Sequence, residues 1–284
     1  MSSGLPGDVR APVPDFGGER AEAEARFTAQ TGQGYVRPRR RRTAPTAASI
    51  LIGINVAVFL LMTFSGVSPT SPTPPQLVHF GAMDPERILF HGEWYRLLSA
   101  TFVHVGIVHI ATNMWCLYNL GLLGEPLLGK WGLFAVYLVT GIAGNLLSLA
   151  VSLGNAIFRH DPSGIFSVGA GASGAVFGIA GMLIVLLSNT KLPIAGVERM
   201  RLRRSVIQFA GLNLLIGLGT VLVPLIRIDN MAHLGGFLSG LALGPPLVPK
   251  MTSGRGQYLA RQKVTFVLAA LILLLFGFWI SKLQ

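Results

Sequence analysis

Residues 168–187 read VGAGASGAVFGIAGMLIVLL, and this stretch decides the class of fold. It is twenty residues long and contains no charged side chain. An α-helix of that length rises about 30 Å, which matches the hydrocarbon thickness of a bilayer. The small residues around Ser173 favour close approach of another helix. The stretch therefore predicts a membrane-spanning helix that carries a serine near its start.

The composition of the whole chain also indicates a membrane protein. Of its 284 residues, 51% are hydrophobic and 12% are charged, whereas soluble domains carry about 25% charged residues. These values argue against a water-soluble globular protein and against a disordered chain. The single cysteine, Cys116, excludes an internal disulfide framework and a zinc site built from several thiolates.

Seven apolar blocks are long enough to cross a bilayer as helices. We predict spans one to seven at residues 48–67, 104–123, 131–153, 168–187, 205–226, 231–248 and 264–280. The predicted fold is an all-α polytopic membrane helical bundle, with a six-helix core and one C-terminal transmembrane helix. The expected parts are a disordered cytoplasmic tail 1–47, a core 48–248, a cytoplasmic linker 249–263, and the seventh helix with a short outer tail at 264–284.

The distribution of positive charge predicts the orientation of the spans. With the N-terminus inside, fifteen Lys and Arg residues flank the inner ends of the spans and five lie outside. This excess follows the positive-inside rule and places the C-terminus outside. The arginines at 37 and 39–42 could form a nucleic-acid patch, but beside an apolar span they favour a cytoplasmic anchor that contacts anionic membrane lipid. No nucleic-acid partner is expected.

Spans two, four and six carry polar residues that a membrane anchor does not need. All three run from outside to inside in the predicted topology, so their first turns share one leaflet. His104, His109, Ser173 and His233 lie in or near those turns, and Asn113 lies one turn deeper. Each residue alone has an ordinary structural explanation as a cap, a packing residue or a bond between helices. Together they predict one polar pocket that opens outward.

The residue types in this pocket favour acyl-transfer chemistry. Serine is a poor nucleophile until a base removes its proton, and histidine is the usual base near neutral pH. The Ser173 backbone N–H and the side chains of His109 and Asn113 are candidate donors to an oxyanion. No acidic residue lies in these spans. We therefore expect a dyad of Ser173 and His233 without a carboxylate.

Small residues predict that spans four and six approach closely. Gly236, Gly240 and Gly244 form a ridge on span six, and Ala180 and Gly181 follow Ser173 on roughly its own face. Such faces allow close contact between helix backbones. We expect this contact to bring Ser173 and His233 within hydrogen-bonding distance.

Five motifs stand in order between about residues 80 and 245. They are Trp94-Tyr-Arg96 in the first outer loop, His104-x4-His109-x3-Asn113, Gly121-x3-Glu125-x3-Gly129, Gly171-Ala-Ser173-Gly174, and Ala232-His233-Leu-Gly235-Gly236. Together they resemble the motifs of the rhomboid family of intramembrane serine proteases. The family includes members with an added C-terminal span, and span seven of this chain resembles that added span.

The resemblance implies a role for each matching residue. Ser173 is similar to the family's nucleophile and His233 to its general base, while His109 and Asn113 correspond to the oxyanion site. Supporting positions are implied for His104, Gly171, Gly174, Trp94, Arg96 and Gly236. The implied substrates are single-span membrane proteins, cut in or near their membrane segment. No cofactor, metal or nucleotide is implied.

Other functions remain open on the sequence alone. A non-catalytic rhomboid-like protein would hold membrane helices without cutting them, although such relatives usually lack the Ser or the His. A transporter would favour polar residues at the bilayer centre and an internal repeat. A membrane metalloprotease would favour H-E-x-x-H, which the sequence lacks. A composition rich in Ala, Gly, Arg and Pro suggests a high-GC bacterial source and the plasma membrane.

Overall fold

The computed structural model describes residues 46–192, 194–220, 229–249 and 254–283, the side chains of 217–220 excepted. Most of the predicted tail with its arginine cluster, the end of span five and part of the linker lie outside these residues. The described helices are α1 (Thr46–Phe64), α2 (Pro74–His79), α3 (Pro85–His91), α4 (Arg96–Ser99), α5 (Ile107–Phe158), α6 (Ser173–Ser188), α7 (Gly196–Thr220), α8 (Asn230–Leu247) and α9 (Arg255–Ile280). Together they form an all-α bundle, as predicted.

Three of the described helices, α1, α5 and α9, are both long and apolar enough to cross a membrane. The 52 residues of α5 include span three and all of span two except residues 104–106, and the two spans meet at a break at Gly129 (φ 75°, ψ 167°). Glycine tolerates this backbone conformation, and Pro126 weakens the helix just before it. A Cβ built on Gly124 in the first half would lie 3.3 Å from Leu133 in the second half. The chain therefore reverses direction at the break.

The start of α6 differs from the prediction for span four. The helix begins at Ser173, five residues after the predicted start at 168. Gly169 instead pairs with Met83 in an isolated bridge, with N···O distances of 2.8 and 2.9 Å, and the Gly171 N–H donates to Ala100 O at 2.9 Å. These bonds to the preceding loop hold residues 168–172 outside the helix. We refer to residues 168–172 as the serine loop.

Helix α6 lies at the centre of the core. Its sixteen residues are fewer than an isolated helix needs to span a bilayer. Its Ala175, Ile179, Met182, Leu183 and Leu186 side chains are completely buried. The neighbouring helices α5, α7 and α8 all pack against it. A polar group at its start is therefore held by protein on most sides.

Close glycine contacts join α6 to α8, as the glycine ridge predicts. A side chain on Gly236 would strike the backbone carbonyl of Gly174, and one on Gly240 would strike that of Gly178. On the other side of the pair, Gly181 faces the Phe237 carbonyl. The two backbones pack at a distance that only glycine permits. This packing fixes the height of α8 relative to α6.

Side chains cap helix ends at the end of the bundle remote from Ser173. The Glu125 carboxylate accepts the N–H groups of Thr46 and Ala47, each at 2.9 Å, and so caps α1. The Arg199 guanidinium donates to Leu187 O at 3.1 Å, near the last turn of α6. Helix α7 begins at Gly196, nine residues before predicted span five, and this charged first part supplies the cap. Terminal backbone groups need such partners in an apolar setting.

The C-terminal helix α9 is joined to the core by buried polar contacts. The Gln262 side chain donates to Leu128 O at 2.9 Å, just before the break in α5. The Tyr258 hydroxyl lies 3.0 Å from Leu127 O and 3.1 Å from Leu247 O, at the end of α8. These contacts form a clasp between α9 and the ends of two core helices. We call Tyr258 and Gln262 the α9 clasp.

Candidate active site

Ser173 is the first residue of α6 and is half-buried. The first backbone hydrogen bond of the helix runs from Val176 N to Ala172 O at 3.0 Å. The Ser173 N–H precedes this bond, so it belongs to the N-terminal donors that a helix cannot satisfy internally. The same helix end carries partial positive charge. Ser173 therefore combines a hydroxyl with a backbone donor suited to a developing anion.

His233 lies in the first turn of α8 and is 7% exposed. Its ring stacks on Phe177 with a centroid distance of 4.4 Å. Phe177 follows Ser173 by four residues, so the two side chains share one face of α6. The imidazole therefore lies along the face that carries the serine. The contact of Gly174 with Gly236 holds the two helices together at this level.

The small residues on spans four and six predict a hydrogen bond between Ser173 and His233. The close helix approach is present, but no hydrogen bond joins the two side chains among the contacts of the described residues. His233 Nδ1 is buried without a partner in that part of the chain. In ligand-free hydrolases the bond from nucleophile to base is often long and tightens when substrate binds. The Ser173 and His233 side chains lie on the facing helices α6 and α8.

His109 lies against the serine loop. Gly171 has φ +134°, and a Cβ built there would lie 2.6 Å from His109 Cε1. Glycine is thus needed at this position both for the backbone conformation and for the imidazole beside it. The structure therefore brings His109 against the serine loop, two residues before Ser173.

His104 is completely buried between the start of α5 and the serine loop. Its Nε2 lies 3.4 Å from the Ala172 N–H, and its Nδ1 lies 3.3 Å from Phe102 O. This pattern fits the tautomer that carries its proton on Nδ1. Its ring also lies 5.2 Å from that of His109. His104 thus supports the loop rather than facing open space.

Asn113 lies one turn below His109 on α5 and is 6% exposed. Its Nδ2 donates to His109 O at 2.9 Å. A primary amide has two hydrogens, so this bond leaves one N–H for another acceptor. Asn113 thus lies beside His109, and no hydrogen bond between Asn113 and Ser173 is found among the residues that the structure describes.

Arg96 is the first residue of the short helix α4, and Trp94 lies two residues before it. Arg96 is 3% exposed and donates to Val78 O at 2.6 Å and to Ala82 O at 3.0 Å. Its hydrogen bond to Glu93 lowers the pKa of that carboxyl. Trp94 instead packs on Gly277 of α9. Both residues stabilise the loop to which the serine loop is bonded.

Sequence reasoning missed three residues that shape this site: Ser148, Phe177 and Asp229. Phe177 looked like one more apolar residue of span four. Asp229 lay in a predicted loop, yet it caps α8 by accepting the Ala232 N–H at 2.9 Å. An Asp directly before a helix is a recognised start signal, so this role could have been predicted. The Ser148 hydroxyl also donates to Asp229 Oδ2 at 2.6 Å. That contact depends on tertiary packing and had no sequence signal.

The fold and the site define a class of protein: a multi-pass helical membrane protein with a serine and three histidines grouped at one end of the bundle. Residues 91–250, more than half of the chain, match the family model described as the Rhomboid domain. The chain belongs to the rhomboid family. Its relatives include proteins of bacteria and of a plant.

Three relatives illustrate the match. The chain is 33% identical over 207 residues to rhomboid protease GluP of Bacillus subtilis (strain 168), which covers 71% of this chain and 36% of the relative. It is 31% identical over 216 residues to RHOMBOID-like protein 6, mitochondrial, of Arabidopsis thaliana, covering 71% and 64%. It is 28% identical over 204 residues to rhomboid protease AarA of Providencia stuartii, covering 70% and 72%. The chain thus spans about a third of the first relative and less than two thirds of the second.

Proposed function

We propose that this chain is an intramembrane serine endopeptidase that cuts membrane proteins in or near their transmembrane segment. The observation that carries the proposal is the position of His233 along the α6 face that begins with Ser173, where Phe177 stacks on the imidazole at 4.4 Å. Two relatives that match about 70% of the chain are named rhomboid proteases. A nucleophile and a base on facing helices are the parts that acyl transfer needs.

The proposed reaction has two halves. A nitrogen of His233 takes the Ser173 hydroxyl proton while Oγ bonds to the carbonyl carbon of the substrate. The C–N bond then breaks, and the imidazolium gives its proton to the leaving amine. A water molecule next attacks the acyl carbon while His233 takes a proton from it. The C–Oγ bond then breaks, the imidazolium returns its proton to Oγ, and the new carboxylic acid leaves.

We assign the oxyanion site to the Ser173 N–H and to the side chains of His109 and Asn113. His109 touches Gly171, two residues before the nucleophile. Asn113 has one amide N–H free of its bond to His109 O. Donors held in place before the reaction stabilise the charge that develops on the carbonyl oxygen. His104 supports this arrangement through Ala172.

An apolar cavity beside His233 favours the proposal that the substrate is embedded in the membrane. It has a volume of about 180 Å³ and lies between α6, α7 and α8, where its lining includes Phe177, Ile207, Leu214 and His233. Such a lining favours hydrocarbon side chains over water. A helical substrate satisfies its own backbone hydrogen bonds, so it must unwind before its carbonyl reaches Ser173. We therefore propose single-span membrane proteins as substrates.

We further propose a bacterial plasma membrane location with the N-terminus in the cytoplasm, the seventh helix ending outside, and membrane lipid around the six-helix core. Single-cysteine labelling tests this orientation. In a Cys116→Ser background, an impermeant maleimide added to intact cells should label Ser281→Cys, at the end of α9, and should spare Ser188→Cys, at the end of α6. The reverse pattern would contradict the orientation.

Cleavage of a single-span membrane protein in detergent tests the activity. The parent protein should release two fragments, and Ser173→Ala should release none while keeping the thermal midpoint of the parent. If no cleavage is seen, an alkyl phosphonate that reacts with activated serines distinguishes the two explanations. A reaction with the parent shows that the pocket is active and that the substrate was unsuitable. A parent protein that binds the substrate but neither cuts it nor reacts with the phosphonate would instead support a non-catalytic membrane-helix-binding protein.

A further inference from the structure

The Asp229 carboxylate joins three parts of the site end of the bundle. Its Oδ1 accepts the Ala232 N–H of α8 at 2.9 Å. Its Oδ2 accepts the Ser148 hydroxyl of α5 at 2.6 Å. A Cβ on Gly169, in the serine loop, would lie 3.5 Å from the same Oδ2. One half-buried side chain thus touches the histidine helix, the helix beside it and the loop before the nucleophile.

Asp229 holds Ala232, the residue directly before His233. The Ala232 N–H is bound by the carboxylate. The Ala232 carbonyl oxygen packs against two glycines, because Cβ atoms added to Gly144 and Gly174 would lie 2.5 and 3.2 Å from it. Gly174 in turn follows Ser173 in the chain. The first turn of α8 is therefore fixed both through its donor and through its acceptor, next to the nucleophile.

We propose that Asp229 is a positioning residue that sets the place of His233 relative to Ser173. This inference rests on the proposed protease function. Asp229 acts by capping α8 and by tying its first turn to Ser148, and it does not contact the imidazole. His233 Nδ1 has no partner in the described part of the chain. The carboxylate thus orients the helix that carries the base, where a triad carboxylate would bond to the base itself.

Positioning of this kind has a measurable consequence. A displacement of about 1 Å in a reacting group can lower a rate by about 100-fold. Capping depends on an acceptor oxygen and requires no charge, because Asn and Ser cap helices about as well as Asp does. Asparagine can also keep the Ser148 contact through its amide. A role in positioning therefore predicts that neutral capping residues retain function.

The experiment measures the rate of phosphonate labelling of the purified full-length protein together with amide hydrogen exchange. We expect Asp229→Ala to slow labelling by about 10- to 100-fold and to speed exchange at residues 232–236. The labelling rate of Asp229→Asn should stay within about threefold of the parent rate, and the rate of Asp229→Ser should be slightly lower than that of Asp229→Asn. If Asp229→Ala does not fold, Ser148→Ala replaces it as the test. This milder change removes one contact of the carboxylate and should slow labelling by a smaller factor.

Asp84→Ala provides the matched control. Asp84 caps α3 by accepting the Arg87 N–H at 3.2 Å, so its loss removes a helix cap in the preceding loop without touching α8. It should leave the labelling rate unchanged. If Asp229→Asn and Asp229→Ala lose the same fraction of the labelling rate while amide exchange in both stays as in the parent, the effect is one of charge. That result would overturn the positioning role. A parental labelling rate in Asp229→Ala would also overturn it.

Amide exchange separates this inference from the proposed function, because it needs no turnover. A parent protein that never reacts with the phosphonate would overturn the protease and with it the role in catalysis. Faster exchange at residues 232–236 in Asp229→Ala would then still support the anchoring of α8. Unchanged exchange in that variant would overturn the anchoring, whatever the labelling result.

Discussion

The ring of Phe177 stacks on the imidazole of His233, with ring centroids 4.4 Å apart and planes inclined by 17°. Phe177 belongs to the helix that begins with Ser173, so this stack relates the direction of the imidazole to the position of the serine. Asp229 accepts a hydrogen bond from the backbone of α8 and does not bond to the imidazole of His233. Within the described part of the chain, the stack on Phe177 is therefore the side-chain contact that orients the plane of the His233 ring.

Substitution of Phe177 should impair the reaction more than it impairs folding. Phe177→Leu keeps an apolar side chain but removes the flat surface beside His233. We expect phosphonate labelling to slow by about 10- to 100-fold, because the imidazole gains freedom to turn away from Ser173. The control is Phe209→Leu, since the Phe209 ring meets Phe177 at 6.3 Å without stacking on His233. Equal labelling rates in the two variants would contradict an orienting role.

Gly171 should be intolerant of a side chain because of His109. Gly171→Ala places a methyl group 2.6 Å from His109 Cε1, at a φ of +134°. We expect labelling to slow at least about tenfold as the proposed oxyanion donor moves. Gly66→Ala is the matched control, because Gly66 has φ +89° and open space where its Cβ would lie. It carries backbone strain of about 1–2 kcal/mol and should label normally; slow labelling in both variants would show that strain alone explains the loss.

The Glu93 contact predicts a loss of stability in acid. Hydrogen bonding to Arg96 lowers the Glu93 pKa below its ordinary value of 4.5. A lowered pKa in the folded state contributes stability above the unfolded value, and that contribution is lost as pH falls through the folded value. The thermal midpoint of the parent should therefore fall more steeply below pH 4.5 than that of Glu93→Gln. Glu86→Gln, at an exposed position, should follow the parent; parallel curves for Glu93→Gln and the parent would contradict the linkage.

The α9 clasp should contribute to the stability of the core. Gln262→Leu leaves the buried Leu128 carbonyl without its 2.9 Å donor, which should lower the free energy of unfolding by about 1–3 kcal/mol. Gln257→Leu makes the same change at an exposed position of α9 and serves as the control. Unfolding in detergent, followed by circular dichroism, measures both. Equal stability of the two variants would show that the Gln262 hydrogen bond does not contribute to the stability of the core.

The class of fold and the grouping of the site could be predicted because both depend on local patterns. Apolar length gives the spans, and the predicted start of span six at 231 lies one residue from the observed start of α8 at Asn230. The depth of His109, Ser173 and His233 within their spans correctly indicated that they share one end of the bundle. Glycine spacing correctly indicated the contact between α6 and α8.

Other features depend on partners that are distant in sequence. The start of α6 could not be predicted from residues 168–172, which are apolar enough to continue a helix, because their bonds to Met83 and Ala100 pull them out of it. The contact between Ser148 and Asp229 joins residues 81 positions apart. Tyr258 and Gln262 reach carbonyls more than 130 positions earlier. Such contacts exist only after the helices have packed.

Mass spectrometry of the purified protein after reaction with the phosphonate tests the serine nucleophile most directly. The proposed mechanism predicts one adduct, on the peptide that contains Ser173, and labelling at least about 1000-fold slower in His233→Ala than in the parent. An adduct on a different residue, or equal labelling of the parent and His233→Ala, would contradict a reaction carried out by Ser173 with His233 as its base.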